Sequence, residues 1–298
     1  MTTQTRTLRS IPWGSIVRYT LMTILALIFL FPIVFMLMSS LKPDLDLLRD
    51  ALSLRAFLPV GNISFDNYQL AFERAPVPLF IFNSVLVTSV TVLLGLVVNS
   101  MAGFALAIPR WRGQGVVLSV IIATLIVPFE TIAIPLLLVV NQLPWSGPEG
   151  LTFGWLNSYQ VQIIPFVASA FSIFLFVQFF KGLPPELIEA ARIDGASWFQ
   201  IYTSLIVPLS GPVFATNAIL TFLPMWNSFL WPLMVIQKEE FRPVMVGLQY
   251  FTQTAIGGHT AWGAIMAYLS MITIPVLALF LSLQRAFIES IASTGIKG

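Results

Sequence analysis

The chain has 298 residues, of which only 28 are charged (15 Lys or Arg and 13 Asp or Glu), a net charge of +2, while 57% are hydrophobic. Soluble domains carry roughly 25% charged residues, so a 9% share excludes a soluble globular protein, a disordered chain and a nucleic-acid-binding domain. The absence of cysteine excludes disulfides, thiolate metal sites, iron–sulfur clusters and covalently attached haem.

A spanning helix needs about 20 mostly apolar residues to cross about 30 Å of hydrocarbon. Six stretches meet this, at 19–41, 80–108, 116–140, 159–180, 206–236 and 260–283. The period-two alternation of barrel strands is missing, so the predicted fold is an all-α membrane protein with six transmembrane helices. Residues 1–18 form a short leading segment with Arg6, Arg9 and Arg18. The first run is too long for a cleavable signal peptide, and no small-x-small cleavage site follows it.

Residues 42–79 form the largest loop, with Asp44, Asp46, Asp50 and Asp66 and a Phe65-Asp66-Asn67-Tyr68 turn signal. It is read either as a solvated loop or as a docking surface for an external partner. Arg110 and Arg112 separate the second and third runs, and Glu130 in the third is the only charged residue inside any predicted span. A carboxylate at that depth is expected to face the bundle interior, pair, or be protonated. Residues 141–158, rich in Gly, Pro and Trp, read as an interfacial loop. The fifth run, with Pro208, Pro212, Pro224, Pro232 and Gly211, is the least regular. His259 lies in a Gly-Gly-His turn with no second metal ligand nearby.

Placing the N-terminus in the cytoplasm puts Arg6, Arg9, Arg18, Arg110, Arg112, Lys181, Arg192, Arg285 and Lys297 inside. Lys42, Arg49, Arg55, Arg74, Lys238 and Arg242 are then outside. The short flanks beside the spans favour this orientation. Six spans return the C-terminus to the cytoplasm, giving a permease domain over 19–284 and a tail over 285–298.

The segment 181–205 is then a cytoplasmic loop. Pro184 and Pro185 start a helix, since a proline's missing N–H is an orphan in the first turn anyway. Glu186 and Glu189 sit in or near that turn, where the helix dipole favours acid. Ala190 and Ala191 give a smooth surface, and Arg192 lies three residues beyond Glu189. Gly195 after Asp194 stops the helix, and Ser197 with Gln200 is a capping box that opens a second one.

Here the sequence resembles a known family. Permease subunits of ATP-binding-cassette importers carry a cytoplasmic pattern E-A-A-x3-G-x9-I-x-L-P. Glu189-Ala190-Ala191 and Gly195 match it, and Pro208 is in register, with Leu205 and Val207 at the I and L positions. The run from Leu187 to Ser197, the Met225–Leu233 stretch (MWNSFLWPL), Phe82-Asn83-Ser84, Pro128-Phe129-Glu130 and the ending from Ser293 to Gly298 are similar to the carbohydrate-type, maltose-permease-like group.

The resemblance implies one permease of a pair, two cytoplasmic ATPase subunits, an external substrate-binding protein and a prokaryotic inner membrane. It further implies that Glu186, Glu189, Ala190, Ala191, Arg192, Asp194, Gly195 and Pro208 serve ATPase coupling. No G-x-x-x-x-G-K-[ST] is present, so ATP and Mg are expected on the partner ATPase, with no cofactor, metal or catalytic residue in this chain.

Candidate pathway residues are Glu130, Trp226, Asn227 and Trp231. Glu130 either meets a sugar hydroxyl or makes a buried structural contact. The Trp-Asn-Trp cluster either stacks on and hydrogen-bonds a polyol or anchors the helix at the interface. In the maltose type, substrate contacts belong mainly to the other permease. The runner-up cargo is a polyol phosphate such as glycerol 3-phosphate, disfavoured because no basic residue lies within the spans. A proton-coupled transporter using Glu130 would call for repeated halves or a second intramembrane carboxylate, and neither is visible.

Overall fold

The apolar runs bend close to prolines and serines, at Pro128, Ser169 and Ser210. The computed structural model describes residues 13–147, 150–252 and 261–295. His259, Thr260, Arg6, Arg9 and Lys297, each placed by the sequence reading, lie outside the described residues.

The first run is α1 (Trp13–Ser40), followed by α2 (Asp44–Asp50), a 3₁₀ turn (Leu54–Phe57) and α3 (Asp66–Arg74). The second is α4 (Val77–Ala107). The third run is not one helix. It divides into α5 (Gln114–Thr124) and α6 (Phe129–Val140), bent by 101°. Pro128, extended at φ −68° and ψ 143°, starts α6 without donating a backbone hydrogen bond. A short antiparallel hairpin follows, β1 (Pro144–Gly147) with β2 (Gly150–Phe153), pairing Pro144 with Phe153 and Gly147 with Gly150. The reading of 141–158 as plain loop missed it.

The fourth run comprises α7 (Tyr159–Ile163), a 3₁₀ turn and α8 (Ala170–Lys181), with a 41° bend. Then come α9 (Pro185–Ile193), α10 (Trp198–Ile201), a π turn (Tyr202–Ile206), α11 (Val207–Leu209) and α12 (Gly211–Trp226). The helix leading into α12 thus begins at Trp198, inside the predicted loop, and turns by 80° near Ser210. The fifth run breaks again before α13 (Leu230–Val235). The short helices α14 (Val244–Gly247) and α15 (Gln249–Thr252) precede α16 (Trp262–Gly295). By length and composition, three helices among the described residues can cross a membrane, or up to six elements if each bent pair is one span.

The described residues fall into two compact units. One holds the chain up to Arg74 together with Phe251–Met271. In it, the loop predicted over 42–79 is largely helical and cross-tied. Lys42 is buried, which costs heavily unless the charge is matched. Its Nζ donates to Asp50 Oδ2 at 3.0 Å and to the Arg55 carbonyl at 2.6 Å. Asn67 Nδ2 donates to the carbonyls of Ser40 and Lys42 just past the end of α1, at 3.0 and 2.8 Å. Asp44 accepts the Gly263 N–H at 2.6 Å, so a side chain from early in the chain caps the start of α16.

The other unit holds Ala75–Tyr250 and the chain from Ile272 onward. Its axis is α4, which buries Val87, Thr91, Gly95, Asn99 and Gly103, one residue in four along one face. A Cβ on Gly103 would lie 2.5 Å from the Phe176 Cβ, so α4 and α8 touch backbone to side-chain root at this crossing. Asn99 bridges the bend before α8, donating to the Val167 carbonyl and accepting the Ser169 N–H, both at 2.9 Å.

Candidate functional site

The segment around Glu189 folds as its local chemistry dictates. Pro185 opens α9 with Pro184 as its cap, Glu186 lies in the first turn, and Gly195 leaves the helix at φ +84°. The Gly195 N–H reaches the Arg192 carbonyl at 3.1 Å and the Ala196 N–H reaches that of Ala191 at 3.0 Å. Ser197 and Gln200 form the capping box of α10. The π turn places the Val207 N–H on the Tyr202 carbonyl, five residues back. Pro208, which has no N–H, sits on the outer face of the next turn.

One face of α9 is fastened down. Ile188 and Ala191 pack on a buried cluster of Phe104, Phe176, Phe180, Ile201, Tyr202 and Ile206, which joins α4, α8 and α10. The Tyr202 hydroxyl and Ser100 Oγ are 2.7 Å apart, adding a polar tie to α4. The other face is open: Glu186, Glu189, Ala190 and Asp194 are exposed and Ile193 is 86% exposed.

Arg192 does not pair with Glu189, as their spacing had allowed. Its guanidinium lies 4.6 Å from the Trp198 ring centroid and donates to the Ala196 carbonyl at 3.1 Å. It therefore pins the turn between α9 and α10, leaving the Glu189 carboxylate with no ion pair among the described residues.

Two grooves flank the helix. The larger, about 790 Å³, is lined by Arg110, Lys181, Glu189, Arg192 and Trp198 among others, so bases outnumber acids. The second, about 520 Å³, has Ala190, Ala191, Asp194 and Gly195 along its α9 wall. The structure thus brings together the sequence-predicted coupling residues, except that Pro208 lies on the following helix.

The predicted pathway residues are not brought together in that way. Trp231 is buried, donates Nε1–H to the Val161 carbonyl at 2.9 Å and meets Phe129 and Phe166 edge-on at 6.0 Å. Trp226 is also buried, stacked on Phe222 at 5.6 Å. Both indoles are buried against other side chains of this chain. Asn227 is exposed, but its Nδ2 donates to the Leu223 carbonyl at 2.8 Å, closing the end of α12.

Glu130, expected to face the interior, pair, or be protonated, is exposed in the first turn of α6 and makes no ion pair among the described residues. The bend at Pro128 turns a mid-span residue into a helix-start residue, where the dipole offsets its charge. Trp231→Ala is expected to destabilise by about 3–5 kcal/mol and Trp231→Phe by less, because the ring's bulk outweighs one hydrogen bond. Thermal unfolding of the purified chain in detergent checks this. Unchanged stability with altered substrate affinity would return the indole to the pathway.

The sequence reading had no role for a polar knot that closes the opposite end of this unit. Asn83 Nδ2 donates to the carbonyls of Glu240 and Arg242, both at 2.9 Å, while its Oδ1 accepts the Tyr159 hydroxyl at 2.8 Å. Ser84 Oγ accepts the Val244 N–H, and Gln162 donates to the Phe241 carbonyl. Asn157, held at φ 56°, accepts the N–H groups of Gln237 and Lys238. Burial pushes the Tyr250 phenol above its ordinary range, and its hydrogen bond to Glu239 acts in the same sense, keeping it a neutral donor. The one available signal was the run Phe82-Asn83-Ser84: two polar residues near the start of an apolar helix.

The family model described as "Binding-protein-dependent transport system inner membrane component" matches residues 99–292, from mid-α4 through α16. The chain belongs to this family. These inner membrane components are permease subunits in the relatives at hand. The chain is 33% identical to the arabinooligosaccharides transport system permease protein AraQ of Bacillus subtilis, over 98% of its own length and all of that relative. It is 30% identical to the lactose transport system permease protein LacG of Rhizobium radiobacter, over 92% of this chain and 93% of that one. It is also 32% identical to the sn-glycerol-3-phosphate transport system permease protein UgpE of Salmonella typhi, over 74% and 75%. Among solved structures, a bacterial ABC transporter involved in importing the acidic polysaccharide alginate has a chain that superposes with a TM-score of 0.75 at 24% identity, covering 96% of this chain and 100% of that one. This last likeness establishes the fold alone. Family membership and the apolar helices make the chain a multi-pass membrane protein, a transport subunit rather than an enzyme.

Proposed function

We propose that this inner membrane component carries a sugar or oligosaccharide across the prokaryotic inner membrane as one of a pair of permeases. An external binding protein delivers the cargo and two ATPase subunits, which hold ATP and Mg, dock on α9. The carrying observation is the full-length relationship to permeases named for arabinooligosaccharides and lactose, combined with a coupling helix fixed on one face and open on the other. Six crossings with both termini in the cytoplasm put α9 on the ATPase side, consistent with Arg110, Lys181 and Arg192 gathering there.

In this reading α9 is a lever. Glu189 offers a free carboxylate to the ATPase, and the Ile188–Ala191 face passes displacement to α4, α8 and α10 through side chains too closely packed to absorb it. Transport then requires that ATP and the loaded binding protein favour the same state of the spans, since a ligand shifts an equilibrium only by its differential affinity.

A second reading, a polyol phosphate cargo, is favoured by the relationship to UgpE. Uptake by membrane vesicles containing the assembled transporter separates the two. ATP-dependent accumulation of labelled arabinooligosaccharides or lactose, with glycerol 3-phosphate neither accumulated nor competing, is the expected result. Uptake of glycerol 3-phosphate alone would transfer the assignment to the second reading. Loss of uptake and of ATPase co-purification on Glu189→Ala, with insertion intact, is expected for the coupling role. Normal uptake by that variant would remove Glu189 from it.

A further inference from the structure

The segment immediately after α1 carries an apolar face that the transport reading does not use. α2 turns Leu47 and Asp50 inward and Leu45, Leu48 and Arg49 outward, with Leu52 continuing the outward row one turn on. Leu45 is 83% exposed, Leu54 in the following 3₁₀ turn is 82% exposed, and Leu52 and Leu58 are exposed as well. Most of the leucines thus face outward while Lys42 and Asp50 are buried and Asp44 and Asp46 half-buried, the reverse of the usual order in a water-facing loop; Leu47 on the inner side and Arg49 on the outer are the exceptions.

The packing of Phe57 sets the depth of this face. Its ring lies 4.5 Å from Phe31 and 5.8 Å from Phe35, two residues of α1 itself. With Arg18 at one membrane boundary, about 20 residues of α1 cross the hydrocarbon, which puts the far boundary near Met38. At about 1.5 Å per residue, Phe35 is then about 5 Å and Phe31 about 10 Å below that boundary. The 3₁₀ turn is held beside this part of the helix, not in the water above it. That interval matches the depth of about 5–10 Å at which interfacial helices bury their apolar face.

Charge placement agrees. Asp50 is bonded to Lys42 and Asp44 to the Gly263 N–H, so two of the three carboxylates of α2 are engaged within the protein, and the third, Asp46, is half-buried. Arg49 is exposed beside them, and the Arg55 side chain is 60% exposed, with its Nε 4.0 Å from Asp50 Oδ1 and the rest of its guanidinium open. Two bases at the rim of a leucine face suit lipid phosphates, and their alkyl stems can snorkel. The leucines also follow within a few residues of α1, whose most apolar stretch is itself unburied.

We infer that residues 44–58 form a membrane-surface anchor: the Leu45, Leu48, Leu52, Leu54 and Leu58 side chains dock into the outer headgroup–acyl boundary, with Arg49 and Arg55 at the phosphates. The anchor fixes the height of the Lys42–Asp50–Asn67 knot above the exit of α1.

Because the chain lacks cysteine, single-site labels need no prior replacements. Leu45→Cys, Leu48→Cys, Leu52→Cys and Leu54→Cys remove only exposed side chains. Gln69→Cys, on an exposed position of α3, is the aqueous control. Each full-length variant is nitroxide-labelled and reconstituted into phosphatidylcholine–phosphatidylglycerol vesicles. Accessibility to oxygen and to a water-soluble nickel chelate is then read by power saturation. The expected result is an oxygen-to-nickel ratio several-fold higher at the four leucine sites than at position 69, placing them about 5–10 Å below the phosphates. Ratios equal to the control would overturn the anchor in favour of a solvated surface. Shielding from both reagents would overturn it in favour of a protein partner, whether a second copy or another subunit.

Discussion

Gly195→Val is expected to cut ATP-dependent uptake by about tenfold or more while the protein still inserts at normal abundance, and Gly195→Asn to keep most of the activity. The reason is conformational, not steric. Nothing lies within 4 Å of a Cβ built on Gly195, so neither substitution clashes. At φ +84°, however, a β-branched residue is strained by about 1–2 kcal/mol, whereas asparagine tolerates this region. Against a total stability of about 5–15 kcal/mol that strain does not unfold a protein. It is enough to open the turn in which Gly195 and Ala196 bond back to Arg192 and Ala191. Opening it would free Arg192 from Trp198 and the Ala196 carbonyl, and let α9 swing relative to α10. Since about 1.4 kcal/mol is tenfold in an equilibrium constant, strain of this size lowers the population of the correctly posed helix relative to the opened one by about tenfold. Vesicle uptake with immunoblot normalisation measures this, and full uptake by the valine variant would show that the turn's geometry does not matter.

Gly103→Val is expected to destroy the packing of the second unit, and Gly103→Ala to lower the detergent melting temperature by several degrees. An added Cβ meets the Phe176 Cβ at 2.5 Å, the Val177 backbone N at 3.3 Å and the Ile173 carbonyl at 3.4 Å. None of these is the loose end of a flexible side chain, so α4 and α8 must separate. Overpacking of this kind costs about 1–3 kcal/mol, more than the roughly 1 kcal/mol that alanine gains over glycine in helix propensity. Gly115→Ala in α5 is the matched control. Nothing lies within 4 Å of its Cβ, so only the propensity gain remains and stability should hold or rise. Equal melting temperatures for the two alanine variants would contradict the close crossing.

How far the sequence anticipated this structure depends on how local each signal is. Pro184-Pro185, Glu186, Gly195 and the Ser197–Gln200 box act within a few residues, and each does what its chemistry suggests. The apolar runs marked where helices exist, because hydrocarbon demands length and composition alone. Prolines at 128, 208 and 212 flagged irregularity, but bends of 101° and 80° are set by what each half packs against. The α9 helix shows the same boundary between local and long-range information. Three-residue spacing allows Glu189 and Arg192 to meet, yet a tryptophan across the turn claims the guanidinium.

Trp226 and Trp231 show a different limit. In sequence an indole reads as a sugar-stacking face or an interfacial anchor; the structure shows a third use, Trp231 buried against the Val161 carbonyl and the rings of Phe129 and Phe166, which only the packed chain reveals. The β1–β2 hairpin was hidden by its own composition, with Pro144, Gly147 and Gly150 in strands of four residues. The helices after α1 were hidden because the partners that bury Lys42 and fix Asn67 arrive from elsewhere in the chain.

The bond from Asp44 to the N–H of Gly263 spans 219 residues of sequence. Chains grow at about 5–20 residues per second, so the ribosome needs roughly 10–45 seconds after making the acceptor before it supplies the donor. Throughout that interval the cap over α1 waits incomplete while the later helices enter the bilayer. Its closure therefore has to wait for α16, the last of the described helices, and joins the two ends of the sequence in one contact.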